Sequence, residues 1–275
     1  MAGRRRFDPI HLLLYALLGG TLVFMMAPLI FVVVNSFNSS SFSPWPPEGF
    51  SLEWYREVRD YEPFRRGFRN SIVTAAWTTA LALVAGSMAA YALSRYRFWG
   101  RGLIQALFFS PLIVPRVAIG LMMFVLYIST SLSFFGTTRG LVFAHTLLVL
   151  PFVITIFAAN IGGINPVLEE AAQDLGANPL QTFLKVTLPQ MRTGFVIAGL
   201  FAFITSFDEV EAALFLVRPA TNTLPIEMFL YLEQRQTPAL AALSSILIGL
   251  TLALVIIALP IMRGQDLRKL AGRAG

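Results

Sequence analysis

Along the 275 residues, long apolar runs alternate with short charged connections. From His11 to Val34 no Asp, Glu, Lys or Arg occurs, and further apolar stretches run near Ile72 to Leu93, Leu103 to Ile128, Gly140 to Ile161, Gly194 to Val217 and Ala239 to Met262. Each is about as long as an α-helix must be to cross roughly 30 Å of hydrocarbon at about 1.5 Å per residue. The third and fifth are interrupted by ionisable residues. The pattern predicts an all-α polytopic membrane protein with six transmembrane helices and both chain ends on one side. A β-barrel would instead show alternating segments of about ten residues. The first run exceeds a signal-peptide core and is read as a retained helix.

One short helix and one short apolar segment, lining an outer vestibule or covering helix ends, are expected outside these spans. After a Pro/Ser-rich turn from Ser43 to Pro47, Ser51 can act as an N-cap, and Leu52, Tyr55 and Val58 recur at helical spacing. Trp54 and Tyr55 suit a membrane interface. Leu224 to Leu232, flanked by Pro225 and Pro238, is too short to span.

Composition agrees with the pattern: 56% of residues are hydrophobic, 13% are charged and the mean hydropathy is +0.69. Soluble domains carry about 25% charged residues. The net charge of +6 could suggest a nucleic-acid partner until the charges are placed. With a cytoplasmic N-terminus, twelve basic residues fall inside (Arg4, Arg5, Arg6, Arg95, Arg97, Arg101, Lys185, Arg192, Arg263, Arg268, Lys269 and Arg273) and eight outside. Five of the outer eight, Arg56, Arg59, Arg65, Arg66 and Arg69, lie beside Glu48, Glu53, Glu57, Asp60 and Glu62, where charge nearly cancels. The positive-inside rule therefore explains the basic balance without nucleic acid. The absence of cysteine excludes disulfides, zinc-thiolate sites, iron–sulfur clusters and thiol nucleophiles.

The connection between the fourth and fifth spans, about residues 164–192, holds most of the organised polar sequence. Asn165 as N-cap with Pro166 at the first helical position starts a helix, Glu169 and Glu170 lie near its positive end, and Gly176 stops it. Asn178 and Pro179 repeat the start signal, Gln181 completes a capping box, and Pro189 is expected to end the second helix. Ala171 and Ala172 give the first helix low relief, so another protein's cleft can approach its backbone. Glu169, Glu170 and Asp174 can pair with basic residues of such a partner. A loop packing only on its own bundle is the alternative.

Glu170-Ala171-Ala172, three residues, Gly176, nine residues and then Val186-Thr187-Leu188-Pro189 resembles the EAA signature of permease subunits of bacterial binding-protein-dependent ABC importers, with Val186 where isoleucine is commoner. Asn70-Ser71-Ile72 and the segment Ala90 to Phe98 resemble the same family. The resemblance implies a type I ABC importer permease fold, a single transmembrane permease domain over residues 1–275, and a bacterial inner-membrane location with both termini cytoplasmic. It makes the 164–192 loop the coupling helix region, with Glu169, Glu170, Ala171, Ala172, Asp174, Gly176, Leu188 and Pro189 meeting an ATPase. It implies as partners an ABC ATPase dimer, a second permease that is a paralogue or a second copy, an extracytoplasmic substrate-binding protein and the lipid bilayer. The chain lacks G-x-x-x-x-G-K-[ST], so ATP is expected to be bound and hydrolysed by the partner subunit, with no cofactor in this chain.

Four charged residues fall inside spans: Arg116, Asp208, Glu209 and Glu211. A charge at the centre of a membrane helix costs at least ~2.5 to 3.5 kcal/mol, so each is a pathway candidate. On unbroken helices, Asp208 and Arg116 would reach similar depths, about 24 and 22 Å from Arg192 and Arg101. Asp208 and Glu211 would share a face while Glu209 points elsewhere. Two arrangements are open: Arg116 pairs with one acid across the bundle, or the acids attract a cationic substrate. Ser206 to Val210, Ala213 to Leu216 and Thr223 to Met228 resemble the spermidine/putrescine branch of these permeases, which implies a polyamine substrate. Arg116 departs from that branch, where an acid often follows Ile113-Val114-Pro115, and suits an amino-acid-like or phosphonate-bearing amine.

An enzyme is not expected: the only histidines are His11 and His145, and neither H-E-x-x-H nor G-x-S-x-G occurs. Both histidines are read as helix-packing residues. A homo-oligomeric cation channel remains as a different class, since acids in a bundle can form a ring, but it has no use for a capped two-helix loop. Pro28, Pro111, Pro151 and Gly86 are candidate gating kinks or packing points, and Gly162-Gly163 a flexible joint or a helix stop.

Overall fold

The computed structural model describes residues 9–41, 46–130, 133–235 and 237–271, with side chains between residues 10 and 260. Arg4, Arg5, Arg6, Arg273 and the Ser43 to Trp45 part of the outer turn lie outside the described residues, and only the backbone is described at Arg263, Arg268 and Lys269.

Among the described residues, four helices are long and apolar enough to cross a membrane by themselves: α1 (Pro9–Asn35), α3 (Glu62–Arg95), α6 (Thr138–Gly162) and α12 (Ala239–Ala271). The count reaches six only when two bent pairs are each taken as one span. In the first pair, α4 (Arg101–Phe109) continues as a 3-10 turn, Ser110–Leu112, and meets α5 (Arg116–Ser129) at 107°. The reason is local: Pro111 and Pro115 lack N–H donors, and Pro115 pushes Val114 away from helical geometry. The third span is thus a sharp elbow, and the helical path from Arg101 to Arg116 expected from sequence does not exist.

The second pair replaces the expected fifth span. Beyond α7 (Pro166–Asp174), the helix α8 (Pro179–Thr182) runs through a π turn, Phe183–Thr187, into α9 (Leu188–Gln190), and then bends 78° into α10 (Arg192–Phe207). Pro189 therefore does not stop the second loop helix; it sits in its last turn. It has no N–H for the carbonyl of Lys185, and the wide turn immediately before it accommodates that loss. α10 ends at Phe207, short of the expected Val217, and residues 208–212 form an irregular turn followed by a 3-10 turn, Ala213–Phe215. Asp208 and Glu211 consequently do not share a helix face.

The chain forms two compact units, Met1–Tyr61 with Tyr231–Leu250, and Glu62–Leu230 with Thr251–Gly275. In the first, α1 is exposed from Ile10 to Ile30, and so much apolar surface is stable only in hydrocarbon or under another subunit. The short outer helix α2 (Glu53–Asp60) starts one residue later than expected, with Leu52 as N-cap, although the Ser51 hydroxyl still accepts the Glu53 N–H at 3.1 Å. Trp54 is buried within this unit and donates its indole N–H to the Asn38 carbonyl at 2.6 Å. Leu52 is exposed, and Trp54 and Val58 form the inward face.

The second unit is built on α3, α6 and α10. Lipid tails are as apolar as leucine, so membrane helices associate by close packing of small residues. Here Ala82 and Ala90 of α3 and Ala198 and Ala202 of α10 are buried with Val149, Val153, Phe157 and Ile161 of α6. Gly86 is a packing point and no kink: a Cβ there would lie 2.6 Å from Cγ1 of Val153. Pro28 and Pro151 sit inside uninterrupted helices, while Gly162 ends α6 and Gly163 caps it. The segment after Thr223 folds as α11 (Leu224–Gln234), short as expected.

Gly86→Ala should lower stability by about 1 to 3 kcal/mol through overpacking against Val153. Gly102→Ala, in α4 where a Cβ meets nothing within 4 Å, should not lower it. Thermal unfolding in detergent compares the two.

Candidate functional site

Two polar assemblies lie in the second unit. The first is the loop between α6 and α10. Asn165 caps α7 by accepting the Val167 N–H at 3.1 Å, with Pro166 in the first turn. Gly176, at φ +91°, makes the left-handed turn that ends it. Asn178 and Gln181 then form the expected reciprocal capping box, at 2.8 and 3.0 Å.

The outward surface of this loop is mixed. Glu170, Ala171, Asp174 and Gly176 are exposed and Ala172 is half-buried. Val167, Leu168 and Leu180 are exposed as well, and Leu175 is 90% exposed. Leu188 packs inward against the helical core, and Pro189 is exposed. One expectation is corrected: Glu169 does not face outward. It is buried and ion-paired to Arg95 of α3 at 2.9 Å, so within this chain it has no capacity for a basic partner.

The second assembly lies where the α4–α5 elbow meets the turn after α10. The elbow makes Arg116 the first residue of α5, where a cation faces the positive end of a helix dipole. Opposition to that charge comes from Glu209, whose carboxylate accepts from Nη1 of Arg116 at 2.9 Å and from the backbone N–H of Ala212 at 2.9 Å. Gly120, one turn beyond Arg116 on the same helix face, permits the approach: a Cβ there would lie 2.6 Å from the Cα and carbonyl oxygen of Ala212. Glu209 is 2% exposed and the Arg116 side chain 40%. Of the two arrangements open from sequence, Arg116 is thus paired across the unit with one acid. Asp208 and Glu211 are exposed, and neither has an ion-pair partner among the described residues. The four charges sum to −2, and the two carboxylates left over both face outward.

Neighbouring polar groups hold this turn in place. His145 Nδ1 lies 2.9 Å from the Ser206 hydroxyl, wholly buried between α6 and α10, as a packing histidine would. The Asn70 amide donates to the carbonyls of Ala220 and Asn222 at 3.1 and 2.9 Å, and the Ser71 hydroxyl accepts the Leu224 N–H at 2.9 Å. Buried Glu227 accepts from Asn222 at 3.1 Å and lies 3.6 Å from Arg66. The Asn70-Ser71-Ile72 resemblance therefore marks a clamp on the 220–224 loop. Sequence reasoning missed Gly120, met Thr187 only as part of a motif, and met Arg95 only in a motif segment and in the charge count; a basic residue ending a span beside a buried acid carries no periodic signal.

Comparison with known proteins follows the same lines. The family model described as "Binding-protein-dependent transport system inner membrane component" matches residues 82–268. The spermidine/putrescine transport system permease protein of Haemophilus influenzae is 30% identical over 246 residues, 88% of this chain and 93% of that protein. The Escherichia coli K12 putrescine transport system permease protein is 30% identical over 239 residues, covering 85% and 84%. Among solved structures, a bacterial ABC transporter involved in import of the acidic polysaccharide alginate superposes with a TM-score of 0.72 at 20% identity, covering 96% of this chain and 99% of that one.

Glu209→Gln removes the charge opposing Arg116 in a largely closed site. It should destabilise the protein by about 1 to 3 kcal/mol, below the ~3 to 5 of a fully buried pair because Arg116 is partly exposed. Asp208→Asn should leave unfolding unchanged within ~0.5 kcal/mol. Thermal unfolding of both variants in detergent tests the assignment.

Proposed function

The chain belongs to the inner membrane components of binding-protein-dependent transport systems, and from that premise we propose that it carries a polyamine past Asp208 and Glu211. As a multi-pass permease of an ABC importer it is a transport component and no enzyme. Family membership also removes the homo-oligomeric channel from consideration.

The observation that carries the substrate reading is the partition of charge around the α4–α5 elbow. Arg116, the residue that argued for a carboxylate- or phosphonate-bearing substrate, is occupied by Glu209. Asp208 and Glu211 remain exposed and outside any ion pair among the described residues, so their charge is available to attract a cation. A polyamine supplies several ammonium groups, enough to neutralise both. The names of the spermidine/putrescine and putrescine permeases of H. influenzae and E. coli support the same class.

The loop supplies the drive. α7 presents Val167, Leu168 and Leu175 to solvent beside Glu170 and Asp174, an apolar patch with an acidic rim on a surface whose relief Ala171 and Ala172 keep low. It docks on a cytoplasmic ATPase subunit, which binds and hydrolyses ATP, and this chain needs no cofactor. Residues 1–275 act as one permease domain with both termini cytoplasmic, a reading that the excess of basic residues on that side supports. A second permease, paralogue or copy, completes the pathway, and an extracytoplasmic binding protein delivers the substrate. Closure of the ATPase dimer moves α7 and switches the bundle between inward- and outward-facing states.

Asp208→Asn combined with Glu211→Gln should lower spermidine uptake by the complete transporter about tenfold or more, equivalent to ~1.4 kcal/mol. Protein yield and unfolding should be unaffected. Full uptake by this variant would remove the two acids from the pathway. Ala172→Cys should crosslink to the ATPase subunit in the assembled complex. No crosslink there or at Ala171 and Asp174 would remove the docking assignment.

A further inference from the structure

Arg95 is the last residue of α3, and its guanidinium gathers three other parts of the chain. Nε donates to Oε2 of Glu169 at 2.9 Å and Nη2 to Oε1 at 3.3 Å, which ties α3 to α7. Nη2 also reaches the carbonyls of Ile161 and Ile164, at 3.3 and 3.2 Å, at the end of α6 where carbonyls lack intrahelical donors. From the other side, the Thr187 hydroxyl in the π turn leading to α10 donates to Oε1 of Glu169 at 2.8 Å. The side chains of Arg95 and Glu169 are 18% and 7% exposed.

The attachment of α7 is unusual in kind. Among its nine residues Glu169 alone is buried, so the helix is held to the bundle by a carboxylate and not by an apolar face. Apolar packing is non-directional and lets a helix slide or tilt. Charge-assisted hydrogen bonds to a planar guanidinium fix both distance and angle, and separating such a pair away from water strands a charge. A helix pinned this way passes its displacement on to the elements sharing the pin.

We infer that the Arg95–Glu169–Thr187 node is the joint through which movement of α7 reaches α3, α6 and α10, making Arg95 and Glu169 positioning residues for transport. This rests on α7 being the ATPase-docking helix, and the test separates the two ideas. The chain has no cysteine, so an introduced thiol is unique within it, and labelling is read on this subunit after separation from the others. In the full transporter in proteoliposomes, Leu214→Cys, an exposed position just beyond the turn that carries Asp208 and Glu211, reports the state of the pathway through its labelling rate with a water-soluble maleimide. Ala172→Cys, in a parallel preparation, reports docking by crosslinking.

With Arg95 and Glu169 intact, ATP plus vanadate should change the labelling rate about fivefold or more. In Arg95→Met/Glu169→Leu, which replaces the buried pair by apolar side chains of similar size, the crosslink should persist while the nucleotide response falls below about twofold. A full response in that variant overturns the joint, and so does loss of the crosslink in the variant alone, since the node would then serve docking only. No crosslink even in the parent means that the docking reading itself fails. If the double variant does not assemble, Thr187→Val, which removes one hydroxyl, takes its place. Its response should fall at least twofold, and an unchanged response overturns the inference.

Discussion

A charged side chain taken out of water needs an opposite charge held at hydrogen-bond distance, and the placement of a few such pairs organises this permease. Arg116 sits at the start of α5 against Glu209, and Arg95 at the end of α3 against Glu169. Each pair joins elements far apart in sequence, and each leaves its neighbouring acids without an ion pair among the described residues. Around the elbow these are Asp208 and Glu211; on the loop they are Glu170 and Asp174. The paired carboxylates position the structure, and the unpaired ones remain available to something outside the chain.

The pairs depend on interruptions in otherwise regular helices. A straight third span would carry Arg116 in mid-helix; the prolines at 111 and 115 instead turn it into a helix start facing the turn after α10. That turn exists because Glu209 takes the Ala212 N–H that a continuing helix would have given to a carbonyl. Gly120 then lets the two backbones approach to a distance no side chain would tolerate. Helix breaks inside a membrane are sustainable only where other groups satisfy the freed backbone, which is why they coincide here with polar clusters.

Much of this was legible from residue order. Apolar run length located α1, α3, α6 and α12, and the cap signals at Asn165, Gly176, Asn178 and Gln181 placed the loop helices almost to the residue. Such signals are local: a cap is decided within four residues, a span within about twenty. What escaped was set by contacts across the chain. Nothing in the sequence of α7 says that Glu169 turns inward while Glu170 turns out, because the partner lies 74 positions away. The end of α10 at Phe207 was hidden likewise, since neither proline nor glycine marks it and an acidic side chain does the work. Residue type alone suits Trp54 to a membrane interface and says nothing of the Asn38 carbonyl that its indole N–H meets in a buried site.

The most direct test of this charge partition is a structure of the assembled transporter trapped with spermidine in its pathway. Ammonium groups should lie within about 4 Å of the carboxylates of Asp208 and Glu211, with Glu209 still engaged by Arg116. Spermidine bound elsewhere, or Arg116 released from Glu209 to meet a ligand anion, would contradict it.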